Sequence, residues 1–367
     1  MERPEPSLPP IWPPRVPHPP PSRNRKETVM DLSTTYLGMQ LKNPVVAAAS
    51  PLTAGVSSIC RLAEAGAGAI VLHSLFEEEV DLECELLDRC LNFGVDSSAE
   101  VSGYFPWVHS GRVADQYFEL IQEARKRVDV PIIASLNGTT SGGWTRYARG
   151  IEEAGAHALE LNLYYLPVDP EVSGSEVEQR LVDTVRQVHS HISIPLAVKP
   201  TLFLSSPAHM ARRLVEAGAR GLVFFNRFYQ PDFDLDNLTL IHRVGGSRST
   251  DLVLRATWIA LLFGRVDADF ALSGGVHDHL DVLKAMMAGA RVVEVATALL
   301  RHGPERIRHI LESMGHWMED RDYRSVAQMQ GSMSQMRVAE PEAFERAHYL
   351  RSIHSWYLSF EPGRSRT

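Results

Sequence analysis

Cysteine is scarce in this chain. Cys60, Cys84 and Cys90 are the three in 367 residues, too few for a disulfide framework and without the spacing of a zinc site. No cysteine cluster of the iron–sulfur type occurs either. Long apolar runs are also missing: nothing approaches the ~20 consecutive apolar residues of a membrane-spanning helix. Positive charge is in deficit, with 37 Lys and Arg against 45 Asp and Glu and a formal net charge of −8, which argues against a nucleic-acid surface. These absences leave a soluble globular protein, expected in the cytoplasm, whose partners are small molecules rather than nucleic acid or membrane.

Proline is abundant in one place. Pro4 to Pro21 is dominated by it, interleaved with Arg15 and followed by Arg23 and Arg25, and the stretch lacks the apolar segment of a signal peptide. Residues 1–29 therefore read as a disordered polyproline-rich extension, with an SH3-type ligand as the alternative. Met30-Asp-Leu-Ser reads as a second start.

From Lys42 the pattern becomes regular. A helix end, a glycine suited to a left-handed cap and a buried strand recur at Gly66-Ala-Gly-Ala-Ile-Val-Leu-His73, Glu153-Ala-Gly-Ala, Glu216-Ala-Gly-Ala and Met287-Ala-Gly-Ala. Repetition of one helix-to-strand joint indicates βα units around a parallel sheet. Further strands are predicted at Pro44–Ser50, Pro131–Leu136, Ala158–Leu163, Pro195–Lys199, Gly221–Asn226, Phe270–Leu272 and Val292–Ala298. Helices are predicted over Ser57–Ala65, Arg112–Arg127, Gly143–Glu153, Ser175–His189 and Ala208–Glu216. The count closes a TIM (β/α)8 barrel over residues 30–335, in preference to an open doubly wound sheet. Pro304–Asp320 and the stretch from Tyr323 read as helical packing on the outside, and 336–367 as a helical tail. Two connections exceed ordinary loop length, Phe76–Gly111 and Arg227–Arg255. Both follow strand C-termini and read as active-site lids; within the second, Asp232–Asp236 and Leu252–Arg255 resemble a strand pair.

Chemistry is expected at the strand ends. Ser273-Gly274-Gly275 and Ala296-Thr297, side by side, would form a phosphate cup from backbone N–H groups and small side chains. Ser50, His73, Ser74, Asn137, Asn162, Lys199 and Asn226 fall on the same rim. A lysine ending the strand Leu-Ala-Val-Lys199 would be buried without a partner, so it needs an anionic or electron-rich ligand or must give up its charge. His277-Asp-His279 reads as a helix cap rather than a metal site, and Glu77-Glu-Glu-Val-Asp81 as a solvated loop. No metal site is predicted.

From Met30 onward the chain resembles the dihydroorotate dehydrogenase family, especially its soluble class. The resemblance rests on Leu37-Gly-Met-Gln-Leu-Lys-Asn-Pro, Ala49-Ser50, Leu159-Glu-Leu-Asn162-Leu163, Val198-Lys199, Phe225-Asn226, Gly274-Gly275, Ala296-Thr297 and Tyr323-Arg-Ser-Val-Ala. It implies FMN in a TIM barrel, held by Ala49, Ser50, Ser74, Asn162, Lys199, Phe225, Gly274, Gly275, Ala296 and Thr297. Asn162 and Asn226 would grip a small cyclic imide, and the reaction would be oxidation of dihydroorotate or a related dihydropyrimidine, as in pyrimidine biosynthesis. A homodimer is implied by the family alone. The electron acceptor is left open among fumarate, NAD through a partner and oxygen.

The chain departs from the family where the catalytic base is expected. Leu163-Tyr-Tyr-Leu-Pro167 places Tyr165 at the base position, and a tyrosine is a poor base near neutrality unless cations depress its pKa. His73 stands where a lysine is expected, and is the second candidate base. The glycine pair expected before the sixth helix reads Thr250-Asp251, with Arg255 just beyond. Two other readings stay open: another substrate for the same flavin, or a non-redox phosphate-binding lyase or isomerase with Lys199 as a Schiff-base lysine. A flavin protein that has lost catalysis is a further one.

Overall fold

The computed structural model describes residues 30–80, 82, 112–138, 141–242 and 245–359. The expected Pro-rich extension and nearly all of the first long connection lie outside them.

Eight parallel strands close the barrel: β1 Val45–Ala47, β2 Ala69–Phe76, β3 Ile132–Asn137, β4 Ala158–Leu163, β5 Leu196–Pro200, β6 Gly221–Phe224, β7 Asp269–Ser273 and β8 Val292–Val295. Each pairs with the next in chain order and β8 pairs back to β1. Helices α1 Val56–Glu64, α2 Arg112–Arg127, α3 Ser141–Glu153, α4 Gly174–His189, α5 Pro207–Glu216, α6 Asp251–Leu262 and α7 His279–Ala288 alternate with them. After β8 come a short α8, Thr297–His302, and α9, Arg306–Asp320. Among the described residues no helix is long and apolar enough to cross a membrane.

Period-two alternation along the strands divides the apolar interior into two clusters. Leu159, Leu161 and Leu163 of β4 face outward and join the layer between sheet and helices. Their neighbours face the lumen, where Val46, Val71, Ile133, Ala158, Ala197, Val223, Ala271 and Val292 form a second, smaller cluster. Small residues at Ala158, Ala197 and Ala271 leave room at its base, and an N-terminal hairpin fills it. Thr34–Tyr36 pairs with Met39–Leu41 through Leu37 and Gly38, both at positive φ (52° and 80°), the geometry of a two-residue I′ turn. Tyr36, Leu37 and Leu41 are buried in the lumen cluster. Leu37 N–H donates to Asp269 (2.8 Å), and Thr34 Oγ1 donates to the Arg291 carbonyl (3.0 Å). The plug is thereby tied to the start of β7 and the entry to β8.

The four repeated joints are what their sequence predicts: Gly66, Gly155, Gly218 and Gly289 all have positive φ, closing a helix and releasing the chain into the next strand. The second long connection is built differently from its sequence expectation. Asp232–Asp234 pairs with Thr239–Ile241 in a local hairpin, whereas Leu252–Arg255 lies in the opening turns of α6. Asp251 accounts for the difference: its carboxylate accepts the Arg248 N–H (3.0 Å), and its negative charge suits a helix N-terminus. Glu77 is not solvated either. It is 3 % exposed, and a Cβ on Gly138 or Gly143 would collide with its carboxyl group at the start of α3.

Candidate active site

All the strand C-termini open on one cavity of about 780 Å³, within the usual range of small-molecule sites. It is lined by Ala49 and Ser50 beyond β1, His73 and Ser74 on β2, and Asn137, Asn162 and Lys199 at the ends of β3, β4 and β5. Phe225 and Asn226 follow from β6, Ser273, Gly274 and Gly275 from β7, and Glu294, Ala296 and Thr297 from β8. Lateral register explains part of this set, since Asn137 pairs with Asn162 and Asn162 with Lys199.

Several lining groups are buried polar atoms without a partner among the described residues: Asn162 Oδ1, Asn226 Nδ2, His73 Nδ1 and Arg255 Nε. Buried polar groups are as a rule hydrogen-bonded, so four such atoms around one cavity point to a ligand. Asn162 is held for the task. Its Nδ2 donates to Ser74 Oγ (3.0 Å) and Ser135 Oγ (3.2 Å), which bond to each other, leaving the carbonyl oxygen for the cavity.

Lys199 corrects the sequence expectation of an unpartnered cation. Its Nζ donates to Glu294 Oε2 at 2.7 Å and Glu160 Oε1 at 2.9 Å, and all three residues are buried. Burial pulls the lysine pKa down, but the two carboxylates outweigh it and raise it above the ordinary range. Burial and then Glu294 push Glu160 up to about 8. Burial also acts upward on Glu294, but Lys199 and hydrogen bonds from Glu160 and Ser273 hold it below the usual carboxylate range. Glu160 is therefore the carboxyl that holds a proton near neutrality, while Glu294 stays ionised against Lys199. The cluster is then neutral overall. An ammonium has three N–H donors; two are committed, and one is left for a ligand. Beneath lies the Tyr36 hydroxyl, buried and unpartnered, its pKa raised by burial and by Glu294 and Glu160.

The two candidate bases separate. Tyr165 does not line the cavity and is 37 % exposed. The Tyr164 N–H turns back to the Asn162 carbonyl (3.1 Å) directly after β4, so Tyr164 meets the cavity and Tyr165 does not. His73 does line it. The β2–β3 register slips between Val71 and Ser74, and such an irregularity re-aims side chains, which lets both His73 and Ser74 reach the site. Burial lowers the His73 pKa, more than a hydrogen bond to the Thr53 backbone and the charge of Glu79 raise it. Nδ1 is buried without a partner, which leaves it open to accept a proton.

The phosphate cup has the shape expected of it. Gly274 and Gly275 have φ of +95° and +87°, and a Cβ on Gly275 would collide with the Leu252 backbone. The loop glycines that approach the cup are Gly245-Gly246 rather than Thr250-Asp251: a Cβ on Gly246 would meet Thr297 at 2.6 Å, and the next residue, Ser247, donates its N–H to Thr297 Oγ1 (3.1 Å). His277-Asp278-His279 is a cap, Asp278 accepting from Leu280 and Asp281 N–H. Sequence reasoning missed Glu160, Glu294 and Arg227, and named Arg255 without giving it a role. The first two were discoverable, because a carboxylate in the middle of a buried strand must have a cationic partner.

The family model described as dihydroorotate dehydrogenase matches residues 111–318, more than half of the chain. The chain belongs to the dihydroorotate dehydrogenase family. Among similar proteins, one assigned as the fumarate-type dihydroorotate dehydrogenase A of Aeropyrum pernix is 29 % identical over 58 % of this chain and 71 % of its own length. The catalytic subunit of the NAD(+)-type dihydroorotate dehydrogenase B of Thermoplasma acidophilum is 26 % identical over 82 % and 98 %. The PreA subunit of the NAD-dependent dihydropyrimidine dehydrogenase of Escherichia coli is 22 % identical over 87 % and 80 %. Membership agrees with the closed parallel barrel and with the cavity at its C-terminal rim. It also weighs against a Schiff-base lysine in this dihydroorotate dehydrogenase relative. Such a lysine needs a lowered pKa, and Lys199 has a raised one.

Proposed function

We propose that the protein is an FMN-dependent oxidoreductase that oxidises the CH–CH bond of dihydroorotate or a related dihydropyrimidine, a reaction of pyrimidine metabolism. The observation that carries this reading is the ring of unpartnered buried polar atoms on Asn162, Asn226, His73 and Arg255 around one cavity. The residues present fit FMN. Backbone at Gly274, Gly275, Ala296 and Thr297 offers N–H groups to the phosphate, in a turn at positive φ packed so closely on α6 that a Cβ on Gly275 would run into the Leu252 backbone. Ala49, Ser50, Ser74, Asn162, Lys199 and Phe225 would hold the ring, and bound FMN supplies the hydride acceptor.

The chain's own residues supply the remainder. Asn162 Oδ1 and Asn226 Nδ2 present an acceptor and a donor to the imide edge of a dihydropyrimidine. His73 Nδ1, neutral at physiological pH, takes the proton that leaves the substrate carbon; Tyr165 has no part in it. Lys199 offers its remaining N–H to a carbonyl on the cavity side, with its charge moderated by Glu294.

Purified protein should carry stoichiometric flavin, and a colourless protein that takes up none would sink the proposal. Dihydroorotate added without oxygen should bleach that flavin. Dihydrouracil in parallel separates the two substrate classes, which the names of the similar proteins also divide. Reoxidation by fumarate or NAD(+) identifies the acceptor, and sedimentation tests the homodimer we assign by family. We place the protein in the cytoplasm.

A further inference from the structure

Among the described residues, Arg255 is the one buried cation lining the cavity that has no part in the proposed oxidation. It sits on the first turns of α6, is 7 % exposed and lines the cavity beside the cup. Nη1 donates to the Asp251 carbonyl at 2.6 Å, whereas Nε is buried without a partner. A Cβ built on Gly274 would lie 3.1 Å from that Nε and 3.4 Å from Nη2, so the guanidinium lies against the floor of the cup and only glycine fits beneath it. No carboxylate among the described residues forms an ion pair with it. The nearest acid, Asp251, turns its carboxylate to the Arg248 N–H. A second cation, Arg227, also lines the cavity and is near enough to repel Arg255.

Desolvation weighs most on this guanidinium, ahead of the attraction of the Asp251 charge and the repulsion of Arg227, and a buried cation with one neutral hydrogen bond and no ion pair is costly without a direct counter-ion. The unmet requirement is for a compact, multiply charged anion with several acceptor oxygens, at the spot where α6 presents its N-terminus. A phosphomonoester meets it, and a neutral hydroxymethyl end does not.

We infer that Arg255 is a side-chain ligand for the terminal phosphate of the flavin, so that this chain selects a flavin mononucleotide over an unphosphorylated flavin by charge as well as by its backbone cup. The inference rests on the flavin reading above.

The test is a fluorescence titration of the full chain, freed of flavin by dialysis against chaotropic salt, with FMN and with riboflavin. Wild type should prefer FMN. Arg255→Met should lower FMN affinity by roughly 10- to 100-fold, the range for one or two charged hydrogen bonds, with riboflavin affinity little changed. Arg255→Lys should recover part of the loss, which distinguishes a lost charge from a damaged fold. Inorganic phosphate should compete with FMN on wild type and far less on Arg255→Met. An unchanged FMN-to-riboflavin ratio in Arg255→Met overturns the inference while leaving the flavin reading intact. Equal binding of both flavins by wild type does the same, and binding of neither overturns both.

Discussion

Lys199, Glu160 and Glu294 place two acids and one base where water is excluded, and the balance among them can be tested directly. Removing the base leaves buried carboxylates uncompensated, so Lys199→Met should destabilise the protein by about 3–5 kcal/mol, read by chemical denaturation. Adding Glu294→Gln to that variant should recover part of the loss. The same cluster makes stability depend on pH. Glu160 is raised from 4.5 to about 8 in the folded state, so the native protein binds more protons than the unfolded chain across that window. Its contribution is present in full below pH 4.5 and is lost as pH rises to about 8, at most about 1.4 kcal/mol per pH unit. Glu160→Gln should flatten that slope. His73 has the opposite bias: burial depresses its pKa, so substrate-driven flavin reduction should hold level through neutral pH and fall only on the acid side. His73→Asn should slow it by ~10²–10⁴-fold in stopped-flow measurements, with flavin still bound.

The βα joints were legible because they repeat and because each carries one conformational requirement, a glycine at positive φ. Strand ends were legible for a similar reason: a polar residue closing an apolar run must face the rim. Every cofactor residue expected from sequence lines the cavity. What escaped depends on distances that sequence does not encode. The slip in β2 that lets both His73 and Ser74 reach the site, the turn after Asn162 that excludes Tyr165, and the meeting of Glu160 with Glu294 across the lumen are of this kind. The α6 start was misread because Leu252-Val-Leu suits a strand as well as a helix, and the acidic Asp251 in the first turn, holding the Arg248 N–H, favours the helix. That helix is wedged against the cup, and Gly275→Ala should drive a methyl group into the Leu252 backbone. The expected result is a lower melting temperature together with loss of bound flavin, read by thermal scan and absorbance on one sample.

Taken whole, the barrel has a reactive end and a structural end. The rim carries the polar atoms; the base is sealed by Tyr36, Leu37 and Leu41 of the hairpin. Conservative damage at the base should therefore appear as lost stability alone. Leu41→Ala should cost about 2–5 kcal/mol with FMN affinity unchanged, measured by denaturation and titration in parallel. Added FMN should stabilise wild type by mass action, about 2.7 kcal/mol at a hundredfold excess over Kd.

The hairpin that seals the base also sets the order in which the molecule can be completed. Leu37 is held by Asp269, Thr34 by Arg291, and Asp31 forms a bridge with Ser325. These are among the earliest described residues, and the anchors of Leu37 and Thr34 leave the ribosome 232 and 257 residues after them. The nascent chain must carry an unsatisfied apolar hairpin until the seventh and eighth strands have emerged. Closure then depends on contacts more than 200 residues apart, the kind that slow folding most. At ~5–20 residues per second, synthesis leaves that hairpin waiting for tens of seconds, an interval in which a chaperone that recognises exposed leucine and tyrosine has its opening.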